Sequence, residues 1–100
     1  MIIIAGHIIL DFYNNIDLKL KHRHLKELCD ELRKKFNLSS MEVADFDDPE
    51  KCVIGFAAVI PENWKKVSAH TLLETICKTI DQTSIARVIT EDCDLLDFGK

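Results

Sequence analysis

The chain has 100 residues, 47% hydrophobic and 30% charged, which fits one globular domain with a modest core and excludes a disordered polymer. Its formal net charge is −4, from 17 acidic and 13 basic side chains, so the field of the whole protein does not favour polyanions. No run approaches the ~18 apolar residues of a spanning helix. The opening MIIIAGHIIL lacks a basic leader, and four well-separated cysteines suit a reducing compartment, so a cytoplasmic, non-membrane protein is expected.

Ile2 to Phe12 reads as the first strand. Ile2, Ile4, Ile8, Leu10 and Phe12 occupy one face, and Ile3, Ala5, His7, Ile9 and Asp11 the other. Apolar residues on both faces predict a strand inside its sheet. Tyr13 to Ile16 forms a turn, and Asp17 is positioned as an N-cap.

Leu18 to Phe36 is the strongest pattern. Leu18, Leu25, Leu28, Cys29, Leu32 and Phe36 recur at helical spacing and form one apolar stripe. Lys19, Arg23, Lys26, Arg33, Lys34 and Lys35 lie opposite. Asn37 follows as a left-handed stop.

Leu38 to Phe46 is the second strand, with Met41 and Val43 on one face and Ser40, Glu42 and Ala44 on the other. Cys52 to Ile60, CVIGFAAVI, carries no charge and reads as an interior third strand, with Gly55 marking a bulge or a close approach. Pro61 breaks it. Trp64 to about Ile80 is a second helix, whose apolar side holds Val67, Leu72, Leu73, Ile76, Cys77 and Ile80. Trp64 is expected to staple the mouth of that helix to the core. Ile85 to about Cys93 is the fourth strand, and 94–100 is a tail that extends it or frays.

The order βαββαβ predicts a single α+β domain of ferredoxin-like type. A four-stranded antiparallel sheet carries both helices on one face. Its other face is then open. The parity that faces the helices is not fixed by the pattern, and Ile3, Ala5, Ile9, Ile54, Phe56 and Ala58 are the interface candidates. A homodimer is expected, through sheet faces or strand extension.

Charge is uneven along the chain. From Asp17 to Asn37 the balance is +3, and from Leu38 onward it is −6. Lys19, Lys21, Arg23 and Lys26 form the one concentrated basic surface, suited to phosphate contacts that position without reading sequence. His22 among them makes such binding sensitive to pH. The alternative is an ordinary solvated helix face. No element suits sequence-specific DNA readout. Only Phe46 and Phe56 are placed to stack bases on the sheet, without basic neighbours.

His7, His22 and the carboxylates Glu42, Asp45, Asp47 and Asp48 are the raw material for a small hydrolase or isomerase, provided they converge on a pocket. The acidic group also has the hard oxygens a divalent cation prefers, but a solubilising loop is the favoured reading of it. No nucleophile elbow, phosphate loop, dinucleotide fingerprint or CxxC pair is present. Zinc would need more ligands than His22 and Cys29 supply. No catalytic residue, cofactor or metal ligand is assigned.

The segment DLKLKHRHLKELCDELRKKFN, residues 17–37, resembles the SLKEKR-R-x-L-K and R-x-x-F-N segments of the YlxP-like family of small bacterial proteins of uncharacterised function. Leu18, Lys19, Lys21, Arg23, Leu25 and Lys26 fit. Asp17, Leu20 and His22 stand where serine, glutamate and arginine are usual. Glu42 and Val43 match its V-x-E-V, while Ile54, Gly55, Ala57 and Val59 match its LG-x-A-x-V strand. The resemblance implies a ferredoxin-like fold and, by genomic association alone, an RNA- or ribosome-related role. The expected function is therefore noncatalytic binding of RNA or a ribosomal component through the first helix. The alternatives are a protein–protein adaptor that uses the apolar sheet face, and the small enzyme.

Overall fold

Alternating burial in the strands and a 3.6-residue apolar period in the helices give six elements. The computed structural model describes residues 1–64 and 66–99, the side chains of 66 and 67 excepted. Its elements are β1 (Ile2–Asp11), α1 (Leu18–Phe36), β2 (Ser39–Ala44), β3 (Lys51–Ile60), α2 (Lys66–Gln82) and β4 (Arg87–Asp97). The strands form one antiparallel sheet in the order β2-β3-β1-β4, with both helices on one face, which is the ferredoxin-like arrangement. Val67, expected at the head of the α2 stripe, has its side chain outside the described residues, as does Lys100 of the expected tail.

Pairing decides the question of parity. Ile4, Ile8, Leu10 and Phe12 are buried with Leu25, Leu28, Leu32, Leu73, Ile76 and Ile80 from the helices. Direct cross-strand partners share a face. Ile4 lies opposite Ala58, Gly6 opposite Phe56 and Ile8 opposite Ile54. Ile54, Phe56 and Ala58 therefore point into the helix-covered core and are buried, which removes them from the interface candidates. Ile3, Ala5 and Ile9 do lie on the helix-free face, opposite Val59, Ala57 and Val53. Met41, Val43 and Leu96 complete that face as exposed apolar side chains.

The turns follow their residue types. Asp17, in an extended conformation, accepts hydrogen bonds from Lys19 N at 3.0 Å and Leu20 N at 3.4 Å, which starts α1. Asn37 ends it at φ 46°, ψ 53°. Tyr13 and Asn14, at φ 51° and 63°, make the sharp exit from β1.

Two bulges break the predicted alternation. In β2, Glu42 faces Ile54 and Ala44 faces Val53, so Val43 is the extra residue. Its side chain lies over Gly55, where a Cβ would come within 2.7 Å of Val43 Cγ1; only glycine leaves that room. In β4, Thr90 faces Ile9 and Val88 faces Leu10, so Ile89 is extra and is half exposed rather than buried in turn. The strand then continues past Cys93 to Asp97 and takes in much of the expected tail.

Candidate functional site

The first turns of α1 were expected to present four cations together. Three of them do so. Lys19, Arg23 and Lys26 are exposed, with His22 beside them. None of the four makes an ion pair among the described residues. Lys19 to Lys26 spans two turns, about 10 Å along the axis. The Asp17 cap and an Asn15 side chain tied to Asp17 O at 2.9 Å and Pro49 O at 3.0 Å hold the start of the helix in place.

Lys21 is elsewhere. Its side chain is 0% exposed, and its ammonium donates to Asp45 O at 2.6 Å and lies 2.9 Å from Glu42 Oε2. A lysine sealed this way makes no phosphate contact, so Lys21 leaves the basic surface. A buried ammonium needs a counter-charge and hydrogen-bond acceptors to offset lost hydration. Glu42, on the helix side of β2, and the backbone turn at Asp45 provide both. The sequence carries the signal: Lys21 precedes Leu25, Leu28 and Leu32 by four, seven and eleven residues, which places it in the middle of the apolar stripe.

Between α1 and β2 runs a groove of about 230 Å³ lined by residues that include His22, Lys26, Arg33, Met41 and Glu42. Arg33 donates to Ser40 O at 3.0 Å and pairs with Asp30, so it fastens the helix to the edge strand. The groove floor is apolar at Leu25 and Cys29. Burial pushes the Cys29 thiol up, a hydrogen bond with Ser40 opposing it only in part. Cys52, fully buried beneath, is pushed up further by burial and by the Glu42 carboxylate. Both thiols stay protonated and inert at neutral pH.

Of the residues proposed for an enzyme, His22 and Glu42 border the same groove, but the set as a whole does not converge. His7 projects from the helix-free face of β1, whereas His22 stands on α1, with the sheet between them. Of the acidic group, Glu42 turns inward to Lys21, and Asp48 accepts from Glu50 N at 2.9 Å and Lys51 N at 3.2 Å in its own loop. Among the described residues no group of three or more His, Cys, Asp or Glu is arranged around a possible cation. Phe56 is buried and offers no platform for a base. Trp64 is part-exposed and lines a groove of about 440 Å³ with Phe36 and Leu72 at the mouth of α2. No helix among the described residues is long and apolar enough to cross a membrane.

The family described as "Protein of unknown function (DUF503)" matches residues 3–93. No curated protein matches the chain.

Proposed function

The chain belongs to the DUF503 family, and from that premise we propose that it is a noncatalytic cytoplasmic binding protein that docks the phosphate backbone of RNA, free or within a ribosomal component, on the outward flank of α1. The observation that carries this reading is the set of three exposed cations, Lys19, Arg23 and Lys26, with no carboxylate among the described residues in an ion pair with them. The segment that holds them is also the one that resembles the YlxP-like family, whose genomic association with translation and ribosome-assembly genes points the same way. The docking is electrostatic and positions RNA without reading bases. Lys21 contributes indirectly, by fixing α1 to β2.

Filter retention of single-stranded RNA tests this. Three phosphate contacts predict a log–log salt slope of about −2. The triple variant Lys19→Glu/Arg23→Glu/Lys26→Glu should lose retention at low salt. Salt-insensitive retention, or none from the native protein at low salt, overturns the reading.

A second reading is a homodimer through the helix-free sheet face, favoured by the exposure of Met41, Val43, Val59 and Leu96 around Ile3, Ala5 and Ile9. The strands have 10, 6, 10 and 11 residues, and at about 3.3 Å per residue and about 4.8 Å per strand they cover roughly 600 Å² per copy. Two such faces reach the ~1,200 Å² lower bound of stable interfaces. Such a dimer is also compatible with an adaptor role.

A further inference from the structure

At the opposite edge of the sheet from β2, β4 has a strand neighbour on one side only. Its start is closed: Val88 N donates to Asp81 Oδ1 at 3.1 Å. Beyond the Ile89 bulge, Thr90 to Asp97 pairs with β1 on one side, and among the described residues no strand lies on the other. An edge of this length is a template for one more strand.

The side chains state which strand it suits. Ile3, Ala5, His7 and Ile9 face Leu96, Asp94, Asp92 and Thr90, so Asp92 and Asp94 stand on the helix-free face. Glu91, Cys93, Leu95 and Asp97, one step out of phase, stand on the helix side. There Cys93 and Leu95, with Asp94 at the rim, form a groove of about 280 Å³ with Ala69 and His70 of α2. Each side of the edge thus carries two carboxylates, and on the helix side Cys93 and Leu95 leave a small apolar slot between Glu91 and Asp97.

We infer that β4 receives an extended basic segment of a partner protein as an added strand, its lysine or arginine side chains over Asp92 and Asp94 and its apolar side chains in the slot beside α2. Main-chain hydrogen bonds to Thr90–Asp97 hold the segment, and alternate side chains choose it. Opposite charges on directly paired positions stabilise a strand pair, and like charges destabilise it. That selects against a second copy here, because pairing β4 with β4 brings the four acids Glu91, Asp92, Asp94 and Asp97 of each strand to one seam. The site is independent of α1, which flanks the other edge of the sheet.

The probe is an octapeptide alternating lysine and valine, with a glutamate–valine peptide as control. The lysine peptide should bind the full chain, and amide exchange should slow across Thr90–Asp97. In Asp92→Lys/Asp94→Lys, both exposed positions, affinity should fall about tenfold and the preference should invert toward the glutamate peptide. No binding up to about 1 mM overturns the inference. So does binding without new protection in β4, which is unspecific charge attraction, or an unchanged preference in the double variant.

Discussion

Lys21 and Glu42 form a bridge between α1 and β2, Nζ to Oε2 at 2.9 Å, with the lysine side chain sealed from solvent. Removing one partner leaves the other charge uncompensated. Lys21→Met and Glu42→Gln should each cost about 3–5 kcal/mol in urea unfolding. Lys21→Met/Glu42→Leu should be markedly more stable than either, because no charge is then buried without its counter-charge. Similar losses in all three would show that packing rather than charge sets the cost.

Leu28 lies between the two helices and the sheet and is 2% exposed. Leu28→Ala should destabilise by about 2–5 kcal/mol through lost transfer energy and a residual cavity. A loss below ~1 kcal/mol by the same measurement would mean that the seam collapses onto the gap.

His22 is exposed beside Lys19, Arg23 and Lys26 on the α1 flank. RNA retention at low salt should therefore strengthen in His22→Lys and weaken in His22→Glu, because the two substitutions add opposite charges to the surface that meets the phosphates. His24 is part-buried and stacked on Phe12 with centroids 6.4 Å apart, so His24→Gln should change retention much less. Equal retention in the native protein and both His22 variants would place the docking surface elsewhere.

The buried thiols set an alkaline limit. Burial pushes Cys77 up to about 11, helped by Glu91 and Asp81, and raises Cys52 further still. A raised folded pKa favours the proton-bound native state, so this stability is complete below the unfolded value near 9 and is lost as pH rises through the folded one. Above pH 9 an unfolded thiolate should cost stability by about 1.4 kcal/mol per pH unit per thiol. Melting temperature should fall steeply from pH 9 to 11, and Cys52→Ala should fall less steeply.

Ala57 lies in the middle of the helix-free face, opposite Ala5. Ala57→Lys should turn a dimer into a monomer by light scattering at micromolar concentration while leaving the circular dichroism spectrum unchanged. A native protein that is already monomeric across that range removes the dimer reading.

Much of this architecture is legible from periodicity. The α1 range is read correctly from its apolar spacing and its Asp17 and Asn37 signals, because caps and stripe agree. Strand faces are harder. The uncharged run CVIGFAAVI looks the same on both sides, so only pairing with β1 shows that Ile54, Phe56 and Ala58 are inside. The bulges at Val43 and Ile89 cannot be read from alternation, since each depends on a partner distant in sequence. Lys21 was misread for a different reason. Its charge suggested solvent, whereas its spacing to Leu25, Leu28 and Leu32 pointed inward, and the compensating Glu42 lies on another element. The acids of β4 are visible in the pattern, but that they lie on a free edge is not, because strand order depends on pairing with β1.

The central position of β1 also bears on how the protein is made. Its partners are β3 and β4, and the β4 pairing joins Ile2 to Asp97. During vectorial synthesis β1 emerges before β3 and β4, and one of its edges keeps its backbone amides and carbonyls unpaired until β4 leaves the exit tunnel. Such non-local pairing raises contact order and slows folding. A nascent chain stalled after α2 should hence bind general chaperones, and release them only when β4 has been added.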